Sequence, residues 1–190
     1  MSKILVLKSS LLGDNSQSNQ LINKVIEGKE VIIRDLAANP VPLLDLNVMT
    51  AINSPVDTLT EELKPIQLLS DELIAELKSA ESVIIGAPMY NFSVPTQLKN
   101  YFDIMARAGV TFQYTEQGPK GLIGDREVVV VTTRGGIHKD QTSDTIAPYL
   151  TSILEFFGIT NVKFVYAEGL NMGDDMANES RSAALKALTV

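Results

Sequence analysis

Three short segments carry the residue types from which a binding site could be made. The first reads Ser9-Ser10-Leu11-Leu12-Gly13-Asp14-Asn15-Ser16-Gln17-Ser18-Asn19-Gln20. It follows an apolar run and leads into an amphipathic one, so it sits where a strand hands over to a helix. A phosphate placed there would meet backbone N–H groups, the positive end of a helix dipole and several hydroxyl donors. Hydrogen bonds to a charged group contribute ~1.5–3 kcal/mol each, so three or four would anchor a dianion without any Lys or Arg. The same Ser and Asn residues also suit a plain helix cap. Neither a G-x-G-x-x-G nor a G-x-x-x-x-G-K-[ST] loop is present.

The second segment is Ala87-Pro88-Met89-Tyr90-Asn91-Phe92-Ser93-Val94-Pro95. Two prolines stiffen it, and its aromatics lie just beyond an apolar strand. A flat, polar-edged ring would suit it, with Met89 and Phe92 covering the ring surface; a turn with core-facing aromatics is the other reading. The third segment is Thr132-Thr133-Arg134-Gly135-Gly136-Ile137-His138. Its paired glycines permit close backbone approach or an anion-binding nest. Arg134 could balance negative charge gathering at the edge of a flavin. His138 taken alone suits a surface or structural position better than a catalytic one.

These loops need a scaffold that brings them together. Apolar runs at Ile4 to Leu7, Val31 to Ile33, Val83 to Ile85, Val128 to Val131 and Val162 to Tyr166 predict strands buried on both faces. Helical spacing follows Pro65 (Ile66, Leu69, Leu73, Ile74, Leu77) and Pro95 (Leu98, Tyr101, Phe102, Met105). It returns at Ile146, Leu150, Ile153, Leu154 and Phe157, where Pro148 predicts a late start or a kink. Asp174 and Asp175 are placed to cap a last helix running towards Val190. The alternation predicts a three-layer α/β/α sandwich around a five-stranded parallel sheet in the flavodoxin-like order 2-1-3-4-5. Ligands of such sheets bind beyond the carboxyl ends of the strands, at the switch point between strands 1 and 3. All three loops fall at that end. The stretches Leu36 to Leu63 and Gly109 to Asp125 are too long for simple connections, which assigns them to function or to an interface.

Bulk composition narrows the classes. The 190 residues fit one domain, residues 1–190, with a full core. A net charge of −7 and a pI near 4.7 argue against nucleic acid as a partner. With no Cys and a single His, disulfides, thiol chemistry, iron–sulfur clusters and ordinary zinc sites are excluded. No apolar stretch approaches a membrane span, and the first residues lack a secretory pattern, so the expectation is a cytoplasmic protein.

At the loops the sequence resembles the bacterial FMN-dependent NADH:azoreductases of the flavodoxin-like NAD(P)H:quinone oxidoreductase family. The resemblance rests on Ser16-Gln17-Ser18-Asn19-Gln20, Arg34-Asp35-Leu36-Ala37, Ala87-Pro88-Met89-Tyr90-Asn91-Phe92, Arg107-Ala108-Gly109-Val110-Thr111-Phe112 and Arg134-Gly135-Gly136-Ile137-His138. The helical segments 70–75 and 97–103 match as well, so it spans nearly the whole chain. It implies that Ser10, Ser16, Gln17 and Ser18 hold the FMN phosphate. Met89, Tyr90, Asn91 and Phe92 would line the ring and ribityl chain, and Thr133, Arg134, Gly135 and Gly136 its pyrimidine side. It also implies a homodimer with active sites at the interface, where Tyr114 and Phe156 shape the pocket above the flavin, partly from the neighbour. Gly28 ends the first helix sooner than in most of the family.

The expected activity is a ping-pong cycle. NADH gives a hydride to bound FMN and leaves, and a quinone or an aromatic azo compound then takes the electrons. Quinones need one round and azo bonds two. No side chain is required as a proton donor; Asn91 and His138 are the candidates for hydrogen bonding near the ring. The alternative is an electron-carrier flavodoxin serving protein partners.

Overall fold

The computed structural model describes residues 3–188. In chain order it contains β1 (Ile4–Lys8), α1 (Gln17–Ile26), β2 (Val31–Asp35), α2 (Leu46–Asn53), α3 (Lys64–Ser79), β3 (Ser82–Gly86) and α4 (Thr96–Met105). A hairpin of β4 (Phe112–Thr115) and β5 (Gly118–Gly121) follows, then β6 (Glu127–Thr133), α5 (Ile146–Phe157), β7 (Val162–Ala167) and α6 (Asp174–Ala187). The main sheet runs β2-β1-β3-β6-β7, all parallel. Counting only its own strands, that is the expected order 2-1-3-4-5.

The uniform apolarity of the strands has the expected cause. Leu5, Leu7, Val83, Ile85, Val128 and Val130 face one side, where residues of α3, α4 and α5 cover them. Ile4, Val6, Ile84, Val129 and Val131 face the other, beneath α1 and α6. Every second residue thus enters a different core, and neither face is left to water.

Local rules explain most element ends, and they correct two expectations. Pro148 is the third residue of α5, which begins at Ile146. An N–H at that position would have no intrahelical acceptor, so the proline does not delay the helix. Asp174 and Asp175 do not cap α6 but form its first two residues; the cap position is Gly173, without a side-chain bond. Their carboxylates therefore act on the helix dipole. Residues 189 and 190, towards which that helix was expected to run, lie outside the described residues.

The two long connections contain structure that periodicity did not announce. The first holds α2, capped by Asp45, whose Oδ1 accepts from Val48 N at 2.8 Å. The second is the β4–β5 hairpin, seated on α5. A Cβ on Gly121 would intrude on the backbone of Phe157 and Gly158, so two glycines let main chain meet main chain. Gly158 itself closes α5 at φ +90°, a left-handed conformation.

Candidate functional site

The loop after β1 enters α1 through Ser16, whose Oγ accepts from Asn19 N at 3.2 Å. The cap reading is therefore correct, and it leaves donors over. Gln17 and Ser18 open the helix, where N–H groups lack intrahelical acceptors. The Ser16 and Ser18 hydroxyls lie 3.0 Å apart, and with Ser10 they are buried. Gly86, at the end of β3, lets this helix start come close: a Cβ there would meet Ile22 Cδ1 at 3.1 Å and Ser18 Oγ at 3.7 Å.

The loop after β3 is built as a tight reversal. Met89 N donates to Thr133 O (2.9 Å), which continues the β3–β6 pairing beyond the sheet. Tyr90 and Ser93 then exchange both backbone bonds at 3.0 Å around Asn91 and Phe92, whose φ angles are +50° and +63°. Two positive φ values in a two-residue turn are ordinary for Asn, but uncommon for a bulky aromatic. The turn leaves the Phe92 ring 57% exposed, edge-on to His138 with centroids 5.7 Å apart. Tyr90 points back instead: its hydroxyl lies 2.8 Å from Ser10 Oγ and ties the loops of β1 and β3 together.

The loop after β6 is organised around Arg134. Its side chain has no exposure, and the guanidinium bonds Asp144 Oδ1 (2.7 Å), Glu168 Oε1 (3.2 Å) and Thr132 Oγ1 (3.2 Å). It also lies 5.0 Å over the Tyr166 ring. Burial, with Asp144 nearby, holds the Tyr166 hydroxyl above its ordinary pKa, so the ring stays neutral beneath the cation. Arg134 is thus a clamp within the protein, and its charge is already matched by two carboxylates. Gly135 has a packing reason: a Cβ would sit 2.5 Å from Asn171 Nδ2. The paired glycines do not adopt positive φ; Gly136 O and Gly135 O accept from Gly169 N and Asn171 N instead. His138 Nδ1 lies 2.9 Å from Ser143 Oγ.

Three clefts meet at Met89. One of about 250 Å³ is lined by Ser10, Ser16, Gln17, Tyr90, Thr133 and Gly135, among others. A second of about 250 Å³ lies between Met89, Asn91, Phe92, Gly135 and His138. The third, about 800 Å³, extends past Tyr90 and Asn91 to the start of α4. Most of the expected residues are therefore brought together, with Arg134 as part of the lining of the first cleft. Ser18 is buried behind that lining, and Gly136 is not among the residues of these three walls. Tyr114 and Phe156 also lie outside these walls; both pack on Phe112, with centroids 5.4 and 4.2 Å away, and Tyr114 is 76% exposed.

Sequence reasoning passed over Leu170 and Asn171, which line the first cleft from the loop after β7. The rule that ligands sit beyond the carboxyl ends of the strands applies to that loop as well, and would have found them. It also passed over Glu168 and Asp144, whose roles depend on which donors the fold places opposite them.

A parallel sheet in this order, with its phosphate-suited loop and apolar cleft at the switch point, defines a flavodoxin-like protein. A model of the flavodoxin-like fold family matches residues 2–190. An FMN-dependent NADH:quinone oxidoreductase of Vibrio vulnificus is 57% identical over 195 residues, covering 100% of both chains. One of the same name from Escherichia coli K12 is 52% identical, covering 99% of this chain and 97% of its own. Among solved structures, a Bacillus anthracis FMN-dependent NADH-azoreductase in complex with FMN superposes with a TM-score of 0.86 at 26% identity, covering 98% of this chain and 97% of that one. The chain belongs to the flavodoxin-like family that these quinone oxidoreductases represent.

Proposed function

We propose that this chain is an FMN-dependent NADH oxidoreductase that reduces quinones and cleaves aromatic azo compounds to amines. Donor and acceptor use one cleft in turn, which makes the cycle ping-pong. The observation that carries this reading is the Ser10–Tyr90 bond of 2.8 Å. It joins a donor-rich helix start to an apolar, aromatic turn in a single cleft at the switch point.

The residues fit FMN. One end of the first cleft offers hydroxyls, the Gln17 amide and free N–H groups, a donor set for a phosphate dianion. The middle offers Pro88, Met89 and Leu170, an apolar bed for a flat ring. FMN held there would supply the two-electron relay between nicotinamide and acceptor. The chain supplies placement: Met89 borders all three clefts, and Phe92 and His138 flank the second as walls. With Nδ1 engaged by Ser143, His138 has Nε2 left to meet a polar atom of the bound species.

The reading includes a homodimer. The cluster of Phe112, Tyr114 and Phe156 presents an exposed aromatic ring, which suits a surface completing the neighbour's pocket. Light scattering should then give twice the 20.7 kDa chain mass. The catalytic reading is tested by anaerobic stopped-flow mixing of FMN-loaded protein with NADH. Fast bleaching of the flavin band, reversed by a quinone or an azo dye, supports it. Retained FMN that NADH does not bleach would overturn it in favour of an electron carrier.

A further inference from the structure

The hydroxyl-rich loop contains no cation, yet the fold brings one to it from the far end of the chain. Arg181 Nη1 donates to Gln17 Oε1 at 3.1 Å across 164 residues, and Nη2 donates to Asn178 Oδ1 at 2.8 Å. The placement follows from α6. Ala177 and Ala184 are buried on the helix face that packs on β7 and α1, and Arg181 lies between them at i+4 and i−3, on the same face. Two small residues let the helices approach, and the long side chain between them reaches over the start of α1.

Arg181 differs from the other arginines in what it touches. Arg34, Arg107 and Arg134 each pair with carboxylates, and Arg126 donates to backbone carbonyls. Among the described residues, Arg181 bonds amide oxygens and is in no ion pair. Its charge is therefore not matched locally, and a guanidinium with five N–H donors has several left. Gln17 lines the first cleft. With Oε1 turned to Arg181, its two amide N–H donors are left for the cleft.

We infer that Arg181 is a positioning residue for the FMN phosphate: it presents Gln17 to the cleft as a donor and places a positive charge one side chain behind the anion. The inference rests on the FMN reading above. In a chain of net charge −7, a local cation also favours the approach of a dianion that the whole molecule repels.

The test titrates apo-protein with FMN and with riboflavin, which lacks the phosphate, by quenching of flavin fluorescence at low and high salt. Arg181→Ala should bind FMN about tenfold more weakly at low salt and riboflavin unchanged, because one charge-assisted contact is lost. Its FMN affinity should also depend less on salt than that of the unaltered chain. Arg181→Lys should restore the salt dependence but only part of the affinity, since an ammonium lacks the planar fork. Melting curves would establish that both variants fold. Equal weakening of both flavins, or unchanged FMN binding, would overturn the inference while leaving the FMN reading intact. An unaltered chain that binds FMN no better than riboflavin, or binds neither, would remove the phosphate reading and the role of Arg181 with it.

Discussion

Glu168 stands just beyond the end of β7, and its Oε1 accepts from three donors. His138 N and Lys139 N each lie at 2.8 Å and Arg134 Nη1 at 3.2 Å. Its side chain is only 13% exposed. Glu168→Ala would strip two backbone N–H groups of their acceptor and remove one of two carboxylates from a buried guanidinium. Hydrogen bonds to a charged group contribute about 1.5–3 kcal/mol each. Breaking a buried ion pair outright costs about 3–5 kcal/mol. Asp144 stays on Arg134 at 2.7 Å, so the cation is not abandoned and the loss should sit at the low end. The expected destabilisation is about 3 kcal/mol, a fall in melting temperature of about 6–12 °C for a chain of this size. Glu168→Gln keeps an oxygen for the two N–H groups and loses only the charge, so it should cost about half as much. Urea unfolding with unchanged m-values would measure both. Hydrogen exchange should quicken at 138 and 139, the positions that lose their acceptor. A loss below about 1 kcal/mol for the alanine variant would place Glu168 among ordinary surface residues and refute the clamp.

Two further outcomes follow from the geometry. Gly121→Ala should destabilise by about 3 kcal/mol, the upper part of the overpacking range, because the methyl meets main chain that cannot rotate away; a thermal melt matching the unaltered chain would show that the hairpin does not seat on α5. Asp125 is held below the usual carboxylate range, first by Thr160 N and then by Asn161 N. A depressed folded pKa means that its contribution is present above the unfolded value of about 4 and is lost as pH falls through the folded value. Asp125→Asn should therefore flatten that part of the acid limb of stability, and an unaltered limb below about pH 4 would refute the assignment.

The five sheet strands were legible because each is a short apolar run between helical patterns, and burial on both faces leaves no other way to write such a strand. Helices α3, α4 and α5 were legible from their spacing, and α3 and α4 also from the prolines at their starts, whereas Pro148 misled about where α5 begins. The cleft's outline was legible too, since all three chemistry-bearing loops fall at one end of a parallel sheet. The short helix α2 and the β4–β5 hairpin were not. Eight residues carry too little periodicity to announce a helix, and the hairpin's Gly-Pro-Lys-Gly strand has almost no β-pattern. Its pairing is held by contact with α5, a reason that lies outside the segment.

Side-chain partnership divides the two kinds of knowledge most clearly. Residue type and local order determined that Ser10, Ser16 and Tyr90 would stand near one another, because strand order alone brings their loops together. They could not determine that Arg134 turns inward to Glu168 and Asp144, or that Arg181 arrives at Gln17. A charged side chain goes where its counter-charge and hydrogen-bond acceptors are, and those acceptors are set in space only once the sheet and its two helical layers have closed.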